Sequence, residues 1–516
     1  MKSFTLVSVA QLLAVIIGCR AAKLPKYRAI TYPQVFDGRD ENTKVLKIND
    51  DISLNLEPIS VLHEDFFIRT YRNGIAEHHY HNVRELQKDL YHDKKRYAAV
   101  MLSEEDGAVR VEGVVGANLK IRPIETAERS DDGRLAHLVE NIEEDDSFEV
   151  YGKVVEDSIG ISERAARSTS GFDQTKYNVY EMFPEVFVVC DSWFQAEFVK
   201  SMNVTVYMII TFQVVSIRYS ALRNPKVYPV LRGIELSTLQ QEKKYYVYLN
   251  AASIDGYKSL LKLVTFVTER NDTYQTFDMV YFVTRYDMVA VYDDGSRQNS
   301  LQGYAFVGSA CSKNREQLGE DTAYSYRGIR TMTHELAHAL GCSHDGTAAP
   351  GIVTAFTPDS LQCPWEHGYI MSYYEVDIRS MQFSRCCRYD IQRMSWAYEG
   401  GCLHKNNSNR FPLNWITEYY LPGENLSLNR QCEMKYPQLH GTYYLEKVID
   451  KWYCQGYCYV PEVPRESSAG QWDFLFMDGT TCHDGYPKLI CINGECRADP
   501  RRTERRNFSL EYWRLE

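Results

Sequence analysis

No cysteine occurs between residues 20 and 189 of this 516-residue chain, although thirteen of its fourteen cysteines follow from Cys190 onward. Disulfide bonds therefore cannot hold the first part of the chain together, whereas the remainder has the cysteine content of a protein made in an oxidising compartment. This contrast, together with a length that exceeds one ordinary domain, indicates at least two regions of different covalent organisation.

Positive charge is also scarce, because 58 Lys and Arg stand against 69 Asp and Glu and give a formal net charge of −11. Such a balance offers no electrostatic basis for binding nucleic acid, and no nucleic-acid partner is expected. The hydrophobic share of 44% is that of a globular chain, which excludes a wholly disordered protein.

Apolar runs long enough to cross a bilayer are missing after the N-terminus. Residues 4–18 are apolar, follow Lys2 and precede small residues, which is typical of a secretory signal. A membrane anchor is the alternative, but the run is short for one. We therefore expect a cleaved signal peptide at 1–21 and a secreted, extracellular product without a membrane span.

The next part of the chain has the pattern of a propeptide. Residues 22–167 alternate short apolar runs with acidic stretches, which predicts a mainly β prodomain. Arg164 and Arg167 form the Arg-x-x-Arg pattern that furin-type processing proteases cleave, so we expect the propeptide to end at Arg167. A chance match over four residues is the alternative.

Two further regions follow. Within 168–402, strand-like runs such as 227–236 alternate with helical patterns such as 277–288, which predicts an α/β domain with a mixed sheet. Within 403–516, six cysteines and many turn residues predict a disulfide-rich loop module with a small core.

The strongest motif is a histidine constellation within 334–345. His334 and His338 are four residues apart, so on a helix they project from the same face and can bind one zinc ion. Gly341 permits a sharp turn that lets His344 supply a third ligand. Three imidazoles leave one position for water, the mark of a catalytic zinc, and Glu335 is expected to act as general base. Ordinary helix histidines are the alternative, which the length of the pattern disfavours.

The surrounding residues resemble a known protease family. Met371 in the segment 369–373 resembles the Met-turn of metzincins, and Asp345 after the third histidine resembles the reprolysin (adamalysin) branch. Other resembling segments lie along the catalytic region at 183–191, 303–311 and 383–386, and along the ADAMTS disintegrin-like and cysteine-rich segments at 421–423, 431–433 and 478–496. The layout without thrombospondin repeats is similar to tick salivary secreted metalloproteases.

This resemblance implies a metzincin fold with a twisted mixed sheet and a zinc-binding active-site helix. It implies a secreted zinc endopeptidase that cleaves extracellular proteins, with fibrinogen or fibrin and matrix proteins as candidates. Extended substrate would pair with an edge strand formed by Ala305, Phe306, Val307 and Gly308. The alternative is a binding or antagonist protein that acts through its cysteine-rich tail; the intact ligands and the absence of Arg-Gly-Asp weigh against it.

The resemblance also implies a calcium site, with Glu185, Asp278 and Cys402 as ligands. Lys405 departs from the asparagine of the family, and a solvated carboxylate or an ion pair is the alternative for both acids. The usual propeptide thiol is absent, so latency requires a steric block or another ligand. Three histidines of the propeptide are candidates to touch the metal, with a solvated run as the alternative: His78, His79 and His81.

Cysteine pairing and glycosylation complete the expectations. The resemblance implies three disulfides, Cys311 with Cys402, Cys363 with Cys386, and Cys342 with Cys387. Cys190 is then left over, either as a buried free thiol or as a crosslink to the tail. Five Asn-x-Ser/Thr sequons are candidate glycan acceptors, namely Asn203, Asn271, Asn406, Asn425 and Asn507.

Overall fold

The architecture is taken from a computed structural model. It describes residues 27–39, 42–72, 74–105, 107–142, 179–198, 202–274, 276–347, 360–372, 374, 377–396, 398–404, 422–424, 426–435, 441–450, 454–460, 470–477, 479–485, 488–492 and 495–498. The predicted signal peptide, the predicted cleavage site at Arg167 and the sequons at Asn406, Asn425 and Asn507 lie outside the described residues.

Residues 27–142, here called the N-terminal region, are mainly β. The elements are β1 Arg28–Thr31, β2 Gln34–Asp37, β3 Lys44–Lys47, β4 Ser53–Pro58, β5 Leu62–Arg72, β6 Ile75–Tyr80, α1 Val83–Gln87, β7 Leu90–Asp93, β8 Ala98–Glu105, β9 Ala108–Gly116, β10 Leu119–Pro123 and β11 His137–Asn141. Nine strands form one sheet in the order β1-β11-β10-β9-β8-β7-β4-β3-β2. Side chains alternate between its core and its surface, since Leu54 and Leu56 of β4 are buried while Ser53, Asn55 and Glu57 are exposed.

Residues 179–404, the central region, are α/β. The elements are β12 Glu181–Met182, β13 Glu185–Cys190, α2 Ser192–Ala196, α3 Val204–Tyr219, β14 Lys226–Val227, β15 Val230–Leu236, α4 Leu239–Tyr245, β16 Ser253–Asp255, α5 Gly256–Glu269, α6 Asn271–Tyr274, β17 Met279–Thr284, β18 Asp287–Val291, β19 Arg297–Leu301, β20 Gly303–Ala305, β21 Glu316–Glu320, α7 Gly328–Ala339 and α8 Arg385–Trp396. Short 3-10 helices follow α7 at Trp365–His367 and Ile378–Met381, and α8 at Tyr398–His404.

The central sheet has seven strands in the order β20-β21-β17-β13-β15-β5-β6. Strands β21, β17, β13, β15 and β5 are parallel neighbours, and the outer strands β20 and β6 are antiparallel. The helix predicted at 277–288 is wrong, because β17 occupies this segment with all six residues buried. The last two strands come from the N-terminal region, so residues 62–80 complete a sheet that the sequence placed wholly in the following domain.

Helix α3 lies between the two regions. Fifteen of its sixteen residues are buried, and its side chains belong to a core that also contains Phe66, Leu90 and Ala99 of the N-terminal region. A helix that is apolar on every side must be covered on every side. Its sequence therefore requires both the central sheet and strands β8 and β9, against which it packs.

Residues 422–498 form a small disulfide-held module. The elements are a 3-10 helix at Pro422–Glu424, α9 Leu428–Lys435, β22 Tyr443–Asp450, β23 Gln455–Val460, β24 Gly470–Leu475, β25 Thr481–His483, β26 Leu489–Ile492 and β27 Glu495–Ala498. Two three-stranded antiparallel sheets replace the loops expected from the turn residues. Its cysteines pair as Cys432 with Cys458, Cys454 with Cys491 and Cys482 with Cys496.

The central region contains the three disulfides implied by the family resemblance. Cys311 is bonded to Cys402, Cys342 to Cys387 and Cys363 to Cys386. Cys190 is a buried free thiol at the end of β13. Burial, with a smaller contribution from Asp191, raises the pKa of this thiol well above its usual value, which suppresses the reactive thiolate.

Cys190 should therefore not react with thiol reagents in the native protein. We expect no reaction of a thiol reagent with protein that begins after residue 21, and one labelled thiol per chain once guanidinium unfolds it without reductant. Peptide mapping of the labelled chain checks the site. One labelled thiol that maps to a cysteine of the tail would instead indicate a crosslink from Cys190 to the tail, because thirteen cysteines cannot all pair within one chain.

Candidate metal centre

Helix α7 is fixed at its start by a buried carboxylate. Asp321 accepts hydrogen bonds from the backbone N–H of Gly328 at 3.0 Å and from the hydroxyl of Tyr207 at 2.9 Å. A carboxylate at a helix N-terminus binds unpaired N–H groups and complements the helix dipole. The close contact between the helix start and Asp321 requires glycine at position 328, because a Cβ there would lie 2.5 Å from the Asp321 carboxylate. Tyr207 belongs to α3, so α3 positions the active-site helix.

The end of α7 redirects the chain towards its own side chains. Gly341 has a φ of 105°, in the left-handed region that favours glycine. The backbone N–H of Cys342 then donates to the carbonyl of Ala337 at 2.9 Å. This turn brings His344 back beside the helix, as the sequence predicts. The disulfide from Cys342 to Cys387 anchors the same turn to α8.

Three imidazoles converge at one point. Nε2 of His344 lies 3.1 Å from Nε2 of His334 and 3.0 Å from Nε2 of His338. Nδ1 of His334 donates to the carbonyl of Ile370 at 2.8 Å, and Nδ1 of His338 donates to the carbonyl of Cys342 at 2.7 Å. Because a carbonyl only accepts, these two Nδ1 atoms carry the protons, and the Nε2 lone pairs face one another.

This arrangement fits zinc. Three nitrogen lone pairs that face each other are satisfied by a cation, and tetrahedral zinc with Zn–N distances of about 2.0–2.1 Å would space them about 3.3 Å apart. Burial lowers the pKa of His338 to about 4 and those of His334 and His344 well below the ordinary histidine value. All three are therefore neutral near pH 7, the form in which imidazole binds a metal.

Glu335 lies on the same helix turn and is 1% exposed. Neither carboxylate oxygen has a hydrogen-bond partner among the described residues. Burial raises its pKa well above the usual glutamate value, so it has high proton affinity, which a nearby bound cation would counteract. Strand β20 leaves room for this side chain only because of Gly303, where a Cβ would lie 2.4 Å from Oε1. No sequence signal marked Gly303.

Met371 is fully buried and directly follows Ile370, whose carbonyl accepts from His334. The Met371 carbonyl accepts a hydrogen bond from the backbone N–H of Asp345 at 2.9 Å, which joins the Met371 turn to the residue after the third histidine. The Asp345 carboxylate in turn accepts from the hydroxyl of Ser384 at 2.7 Å, and burial raises its pKa to about 6. Arg330 of α7 holds the next residue by donating to the carbonyl of Ser372 at 2.7 Å. Arg330 and Ser384 were not identified from the sequence.

The expected substrate edge is shorter than predicted. Strand β20 pairs with β21 and forms one end of the central sheet, but it ends at Ala305. Phe306, Val307 and Gly308 follow it outside the strand, and the Gly308 N–H donates to the carbonyl of His338 at 2.8 Å. The prediction that these three residues continue the strand is wrong, because the turn is bonded to the active-site helix.

The predicted calcium ligands adjoin one another but already have cationic neighbours. The carboxylate of Asp278 accepts from the backbone N–H of Glu185 at 3.0 Å, and it lies close to the disulfide that contains Cys402. Arg232 donates to Glu185 at 3.2 Å, and the charge of Asp278 acts on Arg315. This arrangement supports the ion-pair alternative for both carboxylates.

The three histidines of the N-terminal region, His78, His79 and His81, lie far from the histidine cluster of α7. His78 and His79 are in β6, and His81 directly follows this strand, which lies at the opposite end of the sheet from β20. His78 accepts a hydrogen bond from Arg69 at 2.9 Å, His79 bonds to Thr70 at 2.9 Å, and burial lowers the pKa of His81. These histidines therefore neither contact the metal centre nor form a fully solvated run, because they pack on the neighbouring strand β5.

Two of the sequons lie within the described residues. Asn203 caps α3, with its side-chain oxygen accepting from the Val206 N–H at 3.0 Å. Asn271 begins α6. The described part of the chain contains no helix that is both long and apolar enough to cross a membrane.

Comparison with known proteins identifies the same central segment. Residues 184–384 match the model of the family described as Reprolysin_5, Metallo-peptidase family M12. The venom metalloproteinase BumaMPs1 of Olivierus martensii is 27% identical over 373 residues, covering 71% of this chain and 89% of that relative. The venom metalloproteinase antarease TserMP_A of Tityus serrulatus is 24% identical, covering 72% and 92%.

A further relative matches a larger share of the chain. A Bombyx mori protein, named a disintegrin and metalloproteinase with thrombospondin motifs like, is 24% identical over 483 residues. The alignment covers 82% of this chain and 66% of that protein. The more specific similarity to tick salivary proteins stays a prediction.

Proposed function

We propose that this chain is a secreted protease that cleaves extracellular proteins with Glu335 as general base. The proposal starts from its family: through residues 184–384 the chain belongs to the reprolysin-type metallopeptidases of family M12, and it is a zinc metalloendopeptidase. The observation that carries this proposal is the convergence of three neutral imidazoles beside a buried carboxylate that has no hydrogen-bond partner within the described part of the chain. Fibrinogen or fibrin and matrix proteins are the substrate classes proposed.

The residues of the site have separate roles in the proposed peptide hydrolysis. His334, His338 and His344 would hold one zinc ion, which supplies a Lewis acid for the scissile carbonyl and acidifies the attacking water. Glu335 takes the proton from that water and delivers it to the leaving amine. Burial raises the pKa of Glu335, and the charge of a bound cation would lower it again, so the carboxylate could accept the proton of the water.

Substrate would be bound by main-chain pairing. Strand β20 is an edge of the central sheet, and an extended peptide can add to such an edge through backbone hydrogen bonds. The short length of β20, Gly303–Ala305, limits this pairing to a few residues next to Glu335. Side-chain pockets must then provide most of the sequence preference.

Further steps complete the proposal. Signal removal at 1–21, a furin-type cut after Arg167 and glycosylation of the sequons are proposed for the secreted form. Calcium bound by Glu185, Asp278 and Cys402 is a candidate for an additional cofactor. The cationic neighbours of both acids weigh against it.

Removing the metal tests the proposal directly. We expect 1,10-phenanthroline followed by dialysis to abolish cleavage of casein or gelatin, because the imidazoles alone cannot polarise a peptide carbonyl. One equivalent of Zn²⁺ should restore the rate. Elemental analysis gives the zinc content, and circular dichroism of the metal-free protein controls for unfolding. A folded, metal-free protein that cleaves casein at the original rate would refute the proposed role of zinc.

A further inference from the structure

The hairpin β5–β6 is an integral part of the central sheet. Strand β5 runs parallel to β15 with Leu62 opposite Leu231, Phe67 opposite Gly233 and Arg69 opposite Glu235. Gly233 is suited to this pairing, because a Cβ there would lie 2.6 Å from the carbonyl oxygen of Phe67. Strand β15 is thus shaped for the strand that covers it.

A buried ion pair joins the hairpin to the central region. Arg69 is 1% exposed and Glu235 is fully buried, and Nη1 of the arginine lies 2.8 Å from Oε2 of the glutamate. The hydroxyls of Tyr71 and Tyr274 each donate to Glu235 at 2.8 Å. The guanidinium also lies 4.9 Å from the ring centre of Phe187. Losing the hairpin would leave Glu235 without its cation in an apolar site.

A second contact between the N-terminal and central regions adds to the pairing of β5 with β15. Strands β8 and β9 pack against α3, and Ala99 and Val114 of these strands share one apolar core with the helix. Met208, Ile209 and Phe212 are fully buried within that helix. Departure of the N-terminal region would expose an apolar helix together with the edge of β15.

We propose that the N-terminal region stays bound after the chain is cut after Arg167, as a noncovalent subunit of the mature protease. The inference rests on the cut included in the proposed function, and it differs from the release expected of an inhibitory propeptide. The bound hairpin does not obstruct the substrate edge. Strands β6 and β20 are at opposite ends of the seven-stranded sheet, about 29 Å apart at about 4.8 Å per strand.

Cutting the folded chain tests the inference. The full chain with Glu335→Gln, which prevents self-digestion, carries an affinity tag on the N-terminal region and is treated with furin at the Arg164–Arg167 pattern. We expect both fragments to elute together at a 1:1 ratio from size exclusion after dilution to nanomolar concentration and in 1 M NaCl. Separation of the fragments, with the central fragment still folded and monomeric, would overturn the inference.

Variants distinguish a specific interface from incidental association. Arg69→Met should raise the dissociation constant of the cut chain by at least tenfold, because Glu235 is left unpaired. Arg84→Met is the matched control, since Arg84 is exposed on α1 and should leave retention unchanged. If Arg69→Met fails to fold, co-elution of the cut chain with native Arg69 decides the question.

The readout is independent of proteolysis. Retention is measured on an inactive variant, so loss of the proposed protease activity would leave the result unaffected. Conversely, an active enzyme whose fragments separate would refute retention alone. The two proposals therefore fail separately.

Discussion

Replacing Glu335 by Gln is expected to lower kcat for peptide hydrolysis by about 10³-fold, within the range that general-base catalysis supplies. Gln has nearly the same shape but cannot accept a proton from water or deliver one to the leaving amine. The three imidazoles are unchanged, so zinc content should stay at one ion per chain. Rates on a peptide library, measured beside zinc analysis, check both statements.

A neighbouring glutamate provides the control. Glu366 is exposed in the 3-10 helix at Trp365–His367, so Glu366→Gln should retain the original rate. A Glu335→Gln protein that keeps its zinc and more than a tenth of its kcat would assign the base to another group. If the biological effect of the protein were unchanged in this inactive variant, the alternative of an antagonist acting through residues 403–516 would be favoured.

The second large effect concerns stability. Glu235→Leu is expected to reduce the free energy of unfolding of the uncut chain by about 3–5 kcal/mol, the usual cost of leaving one member of a buried ion pair without its partner. Burial alone would lower the pKa of Arg69, and the Glu235 charge raises it above its ordinary value. Without that charge, the buried guanidinium and the hydroxyls of Tyr71 and Tyr274 lose their shared acceptor.

A double-mutant cycle separates the charge from the packing. Adding Arg69→Met to Glu235→Leu should recover much of the loss, because two apolar side chains of suitable volume can replace a buried ion pair at little cost. Chemical denaturation of the four uncut chains measures the coupling. Additive losses in the double variant would show that the pair contributes through shape and not through charge.

The metal centre was predictable because it depends on local geometry. The spacing of His334 and His338 places them on one helical face, and Gly341 allows the turn that returns His344. The enzyme class was confirmed by the family match. Features that depend on distant contacts were not accessible, including Gly303 beside Glu335 and the bonding of Gly308 to the active-site helix.

The errors in the fold have similar physical causes. The segment 277–288 contains the short apolar run Met279–Val283, and periodicity alone does not separate a fully buried strand from a buried helix. The pairing of β5 with β15 joins residues more than 150 positions apart, and no local pattern encodes such pairing. Helix α3 did contain a usable signal, since its apolar character on all sides indicates a helix covered from both directions.

The disulfide between Cys342 and Cys387 has a consequence for metal binding. It fastens the short stretch that carries the chain from His338 to His344, so its reduction frees the third zinc ligand from α8. We therefore expect the metal affinity to be higher with this bond intact than after its reduction, because the bond limits the positions that His344 can adopt.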